Sequence, residues 1–287
     1  MTAPLVGAES PQWGGSVLDI HLHPKRDDDG EIKHMNGCGV TNAVILGGAA
    51  QRDRIKSRIG KAPDRMKFFA SMDVTQPDAI QMLHDAAKDG AIGFGELKSR
   101  IAADGPEMTK VYELAAELRI PVLLHFQDGP QGQTFNEGIQ RFGAILKKHP
   151  NTTFIGHANS FWANISTEAP PDIAYPKGPV KRGGVTDKLL SDFPNLYGDL
   201  SANSGRNALA RDPEFASDFL KRHQDKLMFG SDCPCTDGAG AGQVSKEPLI
   251  AGKCVARETL TALKQLTSPE LFRKITWTNG TRLLKIS

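Results

Sequence analysis

No run of this chain approaches the roughly eighteen consecutive apolar residues that a membrane span requires. The opening "MTAPLVGAESPQWGG" has neither a basic start nor a long apolar stretch. A soluble, cytoplasmic protein without a membrane partner is the expectation. Basic blocks are also missing: lysine and arginine cluster no further than short runs such as "KRDDDG", and the formal charge is only +2. Nucleic acid needs a basic face to bind, so it is not expected as a partner. Cysteine is scarce. Cys38, Cys233, Cys235 and Cys254 form neither a dense disulfide framework nor matched CxxC pairs, and free thiols are expected. The "CPC" at 233–235 has no second pair at zinc spacing and is a weak sign of a thiolate site. The glycines of "GFGELK" and "DGAGAGQ" lack the strand, GxGxxG and helix order of a dinucleotide site. No G-x-S-x-G surrounds "GSD", which removes the nucleophile elbow. Sequons at Asn151, Asn164 and Asn279 come without a secretion signal and are discounted.

What is present describes an ordinary globular chain: 287 residues, 39% hydrophobic and 24% charged, long enough for one large core. Apolar bursts bounded by turn residues begin at Ser16, Asn42, Met66, Ala91, Pro121, Thr152, Asn195 and Lys226. Helical patterns lie between the later ones, among them "EMTKVYELAAELRI" and "DPEFASDFLKRHQ", the latter opening on an Asp cap and a proline. Strand then helix, eight times over, predicts a single-domain α/β protein, a (β/α)8 TIM barrel over 16–287. Residues 1–15 read as a loose arm or cap. The rival architecture is a doubly wound open sheet.

A barrel places its chemistry at the C-terminal ends of its strands. Residues of metal-ligand type stand where the bursts end: His21 and His23 at the first, Glu96 at the fourth, His125 at the fifth, His157 at the sixth and Asp232 at the eighth. In "DIHLH" strand alternation projects His21 and His23 to one side, with Ile20 and Leu22 on the other. Taken singly, each has a plain structural alternative. A strand histidine can be a hydrogen-bonded interior residue, Glu96 can pair with Lys98, and Asp232 can open a turn. Jointly they point to a cation, because imidazoles and carboxylates converging in one cavity are costly to bury without one. His34, His84, His149 and His223 fall in helical patterns and read as surface residues. The long stretch from Ala158 to Gly184 is a candidate lid, with Phe161, Trp162 and Tyr175 to cover a substrate. After the seventh burst, Ser201 and Arg206 are candidate substrate contacts, and Asp199 a support for Arg206 or for a ligand histidine.

The succession "DIHLH", "GFGELK", "PVLLHF", "IGHAN", "NLYGDLS", "FGSDCP" and "NGTRLL" resembles the amidohydrolase-related family of metal-dependent hydrolases, within the amidohydrolase superfamily, from about Ser16 to Leu284. The resemblance implies a site for one or two divalent ions at the barrel mouth. His21, His23 and Asp232 would hold one ion, His125 and His157 the other, and Glu96 would bridge them. A carboxylated Lys98 is the alternative bridge. Zinc is the first choice of cofactor, with Mn2+ or Fe2+ as alternatives. The implied activity is hydrolysis of a small-molecule amide, ester or lactone by metal-activated hydroxide, with Asp232 as general acid and base. Lys98, Arg206, Trp162 and Ser201 are the expected substrate contacts. A metal-dependent decarboxylase of an aromatic or unsaturated acid is the alternative on the same scaffold, and a barrel that binds without turnover is a third class. A TatD-like nuclease also uses a glutamate after the fourth strand, but the missing basic groove weighs against it. Assembly into a homo-oligomer is left open.

Overall fold

The structure, a computed structural model, describes residues 9–129, 134–170 and 173–286. Each apolar burst becomes a strand: β1 (Leu18–Leu22), β2 (Asn42–Gly48), β3 (Met66–Ser71), β4 (Phe94–Leu97), β5 (Val122–His125), β6 (Phe154–His157), β7 (Leu196–Asp199) and β8 (Leu227–Met228). They lie side by side in chain order. Every adjacent pair is parallel. The amide of Ile20 donates to Phe229 O at 3.1 Å and brings the last strand back to the first. The result is a (β/α)8 TIM barrel.

Both faces of the sheet are buried, which is why the bursts read as continuous apolar runs rather than alternations. Val44, Leu46, Phe69, Leu123, Ile155 and Met228 belong to a cluster that fills the inside. Ala43, Ile45, Phe68, Leu124 and Phe154 face the helical layer.

That layer consists of α1 (Gly30–Cys38) after β1, α2 (Arg52–Ile59) after β2, α3 (Ala79–Lys88) after β3, α4 (Pro106–Leu118) after β4 and α5 (Phe142–Lys148) after β5. It continues with α6 (Asn159–Ala163) and α7 (Val185–Asp192) after β6, α8 (Ala202–Ala210) and α9 (Pro213–Arg222) after β7, and α10 (Val255–Leu266), α11 (Pro269–Arg273) and α12 (Asn279–Leu284) after β8. The expected cap of α9 is present: the Asp212 side chain accepts from Phe215 N–H at 3.1 Å. Helices α1, α2, α6 and α8 carry too little apolar periodicity to stand out in the sequence. "GEIKHMNGC" and "ANSGRNALA" are helical through tertiary packing rather than intrinsic preference.

In the segment that reads as a loose arm or a cap, Trp13 is buried, its ring lies 6.4 Å from that of Phe272, and its indole N–H donates to Cys38 O at 2.9 Å. Residues 1–8 lie outside the described residues. His34 and His223 are buried, not on the surface. His223 Nε2 donates to Asp187 Oδ1 at 2.7 Å, and burial pushes His34 down to about 4. Phe161 and Trp162 are core rather than lid: their rings meet at 5.1 Å, Trp162 packs on Phe219, and its N–H donates to Asp199 O at 2.9 Å. Small α6 reels them inward, and Gly156 leaves the space that the Phe161 ring fills.

Candidate active site at the mouth of the barrel

The first strand delivers its two histidines by an irregularity. The register of β1 against β2 slips between Asp19 and Leu22. Leu22 faces the helices as expected, but Ile20 is turned into the barrel interior, so the simple alternation that placed both on the outer face holds for only one of them. Beyond the bulge His21 and His23 both point to the mouth. The amide of Asp232 donates to His21 O at 2.8 Å and that of Ser231 to Asp19 Oδ1 at 2.8 Å, so the end of the barrel is sewn to its start. Asp232 adopts a left-handed backbone with φ of 46°, an uncommon conformation for a residue with a side chain, held here by those bonds.

Six side chains from five strand ends converge. His21 Nε2 and His23 Nε2 are 3.3 Å apart. Asp232 Oδ1 lies 3.5 Å from His23 Nε2 and 3.9 Å from His21 Nε2. On the other side, Glu96 Oε1 meets His125 Nδ1 and lies 3.4 Å from His157 Nε2, while its Oε2 is 3.5 Å from His23 Nε2. Three sets of ligand atoms, His21/His23/Glu96, His21/His157/Asp232 and Glu96/His125/His157, each fall within 4.8 Å of one another. Each of His21, Glu96 and His157 belongs to two of these sets, and Glu96 is the one carboxylate among the three.

The far sides of the imidazoles are occupied by acceptors. His21 Nδ1 donates to Asp199 Oδ2 at 2.6 Å and His23 Nδ1 to Leu46 O at 3.2 Å. Ser201 Oγ sits 2.9 Å from His157 Nδ1 and 3.2 Å from His21 Nδ1, and donates to Asp199 Oδ2 at 2.7 Å. With Nδ1 so engaged, each ring of the first pair turns its Nε2 toward the shared centre, the atom that would offer a lone pair to a cation. Asp199 thus serves the histidines; the charge acting on Arg206 is that of Glu258 on α10.

The electrostatics suit a cation. Burial alone would lower His21, yet Asp199, Asp232 and Glu96 raise it to about 10. Burial likewise opposes the charged form of Glu96, but hydrogen bonds from His125 and His23 outweigh it and hold this carboxyl well below its usual range. His157, buried beside His21, is pushed well below the ordinary histidine value, first by burial and then by that neighbour. Carboxylates surround the imidazoles at the mouth, a field that stabilises positive charge. The donor set of nitrogen and oxygen atoms therefore fits one or two divalent ions of the zinc, manganese or iron kind.

The remaining sequence candidates are spread. Ser201 is inside the cluster, as described. Lys98 is exposed, with its ammonium 4.9 Å from the centre of the Phe135 ring, and among the described residues no ion pair joins it to Glu96. The Phe135 ring in turn stands edge-on to His125. Arg206 is half-buried on α8 and its Nε has no hydrogen-bond partner. Trp162 is core, packed between the sheet and the helices. Tyr175 of the candidate lid does come near: burial raises its phenol and the charge of Asp232 acts on it.

Sequence reasoning missed Asn203, which is buried at the start of α8 beside the Tyr175 phenol. It also missed Gln127, whose Oε1 lies 2.8 Å from His125 Nε2 and which lines a cavity of about 420 Å3. Neither belongs to the ligand residue types that drew attention at the other strand ends. A second recess, of about 390 Å3, opens beside His23 and is lined by Lys25, Arg26, Arg54 and Arg58.

A barrel with this donor cluster at the carboxyl ends of its strands defines a metal-dependent enzyme class. The family model described as Amidohydrolase matches residues 19–286, and the chain belongs to that family. No protein of curated function matches it in sequence. Solved structures similar in fold include a probable 2-pyrone-4,6-dicarboxylic acid hydrolase from Acinetobacter baumannii with citric acid bound, at TM-score 0.62 and 17% identity over 94% of this chain and 99% of that one. Dihydroorotase from Campylobacter jejuni aligns at TM-score 0.58 and 18% identity, covering 100% of this chain and 86% of that one. A 5-carboxyvanillate decarboxylase from Novosphingobium aromaticivorans, complexed with manganese, aligns at TM-score 0.58 and 15% identity over 89% and 79% of the two chains. Both hydrolases and decarboxylases thus share this fold.

Proposed function

We propose that the protein is a metal-dependent hydrolase of an amide, ester or lactone bond in a small, carboxylate-bearing molecule, working in the cytoplasm. The observation that carries the reaction type is Glu96, whose two oxygens face two separate sets of donors. Divalent ions held by these residues would supply Lewis acidity and water activated at neutral pH. Zinc is our first choice, and manganese or iron would suit the same donors.

The chain's own groups do the rest. His21, fixed by Asp199 and Ser201, and His23, fixed by Leu46 O, hold their free nitrogens at the centre without rotation. Asp232 reaches the same centre while its side chain keeps 31% of its exposure, so it faces both the attacking water and the substrate. Its carboxylate can take the proton at attack and return it to the departing nitrogen or oxygen.

The carboxylate preference rests on the recess beside His23. Arg26 and Arg54 are exposed there, and among the described residues neither has an ion-pair partner. A guanidinium can grip a carboxylate through two parallel hydrogen bonds. Two of the similar structures are also named for carboxylic acids.

The test combines metal analysis of purified protein with turnover assays on carboxylated lactones, cyclic amides and esters, and on aromatic carboxylic acids. About two ions per chain at the mouth, with water added to the product, supports hydrolysis. Release of carbon dioxide with one ion overturns it in favour of decarboxylation, and full activity after metal removal overturns both.

A further inference from the structure

Outside the sheet, all four cysteines of the chain gather on one buried side of α1. Cys233 and Cys235 come from the loop that leaves β8, Cys254 precedes the first residue of α10, and His34 projects from the middle of α1. Cys233 Sγ is 3.1 Å from Cys235 Sγ and 3.8 Å from Cys254 Sγ, and Cys235 Sγ is 3.4 Å from His34 Nδ1. The three sulfurs and the imidazole nitrogen all lie within 4.8 Å of one another, and all four residues are buried. The cysteines are free thiols.

We infer that this pocket is a second metal site, a closed structural centre of three thiolates and one imidazole that takes zinc. Zinc bound tetrahedrally at about 2.3 Å from sulfur and about 2.0 Å from nitrogen places sulfur atoms about 3.8 Å apart, and sulfur and nitrogen about 3.5 Å apart. Two of the observed separations, 3.8 Å and 3.4 Å, match these; Cys233 and Cys235 Sγ, 3.1 Å apart, need to part by about 0.7 Å.

The surroundings match as well. His34 Nε2 faces Cys38 Sγ at 3.8 Å, and Cys38 in turn lies 3.6 Å from Met35 O, so a ring proton on Nε2 has an acceptor and the Nδ1 lone pair is left toward the three sulfurs. The amide of Val255, at the N-terminus of α10, donates to Cys233 Sγ at 3.3 Å. Three thiolates around a divalent ion leave one negative charge, and a buried cation stands ready: Lys25 donates through its ammonium to Cys233 O and acts electrostatically on His34. Four uncharged, loosely hydrogen-bonded groups of these types would have no comparable reason to face one point.

The centre has a task. Between Cys235 and Cys254 the 18 residues 236–253 form no strand or helix, an irregular stretch that a compact domain rarely keeps without an anchor. An ion held by residues 34, 233, 235 and 254 ties that stretch to α1 and α10. It also clamps Cys233, the direct neighbour of Asp232. Cys233 is thus a positioning residue for the left-handed backbone that aims Asp232 at the mouth.

The experiment separates this ion from any at the mouth. The full chain is loaded with cobalt(II), and the near-ultraviolet thiolate-to-cobalt absorption is read; no sulfur lies among the mouth donors, so that band reports the cysteine site alone. Alongside, zinc release by a mercurial thiol reagent is titrated on the zinc protein. We expect the band in the wild type and in a His21→Ala/His23→Ala variant, its loss in Cys254→Ser, and release of about one zinc ion per chain as the thiols react. Absence of the band in folded wild type, blocking of the thiols with no zinc released, or a count two thiols short because of a disulfide each overturns the proposal. If Cys254→Ser does not fold, the wild-type and mouth-variant measurements decide alone. Failure of the hydrolase reading, shown by the mouth assays, leaves these results untouched.

Discussion

Two clusters of metal-type donors flank the same short loop, and they differ in every respect that matters. At the mouth, imidazole and carboxylate gather in a cavity where the His23 and Asp232 side chains keep 44% and 31% of their exposure. On the outer side of the sheet, sulfur and one imidazole gather with all four donors buried. The loop "SDCPC" serves both, Asp232 turned inward and Cys233 and Cys235 outward. Open nitrogen and oxygen sites leave room for substrate, whereas closed sulfur-rich sites hold an ion for structure. Chemistry and scaffolding are thereby separated across one strand end.

The strongest way to break the comparison is His21→Ala with His23→Ala. Turnover should fall by about 10³-fold or more, since the centre loses its anchors, while the cobalt–thiolate band persists. Loss of both together would show that the clusters are a single unit. Asp232→Asn should lower kcat by about 10²–10⁴-fold with metal content unchanged, measured on whichever substrate turns over. A rate near wild type would remove Asp232 from proton transfer.

Ser201→Ala should have a smaller effect, about 10-fold on activity or on mouth metal affinity, because it removes a hydroxyl that braces His21, His157 and Asp199 but no ligand atom. An unchanged affinity and rate would show the bracing to be redundant. The smallest effect is a control away from both clusters. Asp187→Asn removes the partner of Arg222 and His223 and should reduce stability by about 1–2 kcal/mol near neutral pH.

Burial alone would raise the Asp187 pKa, but the hydrogen bonds from His223 and Arg222 outweigh it and hold the pKa below 3.8. Its stabilisation is therefore complete above the ordinary carboxylate range and is lost as the pH falls through and below 3.8. Denaturant melts from pH 6 to pH 2.5 should converge for wild type and variant at the acid end. A constant gap across that range would contradict the assignment.

Much of the barrel was legible because parallel strands buried on both faces leave uninterrupted apolar runs, and eight such runs were visible. The helices α1 and α8 were not, since their polar sequences acquire helical form only against the sheet. Within the site, His21, His23, Glu96, His125, His157 and Asp232 stood out because ligand-type residues at strand ends share one destination in this architecture. Trp162 was misplaced since a short helix, invisible in the sequence, rotates it into the core. Asn203 and Gln127 carried no signal: amides are common in loops, and only their burial and neighbours single them out.

His34 marks the boundary between the two kinds of information. The sequence alone determined the eight apolar runs, their succession along the chain and the ligand-type residues that end them, because each depends on short-range pattern along the chain. The meeting of His34 with Cys233, Cys235 and Cys254, the bulge that turns Ile20 inward, and the bracing of His21 by Asp199 were decided by the tertiary structure. These contacts join residues up to 220 positions apart, and no local pattern encodes a distance that only barrel closure creates.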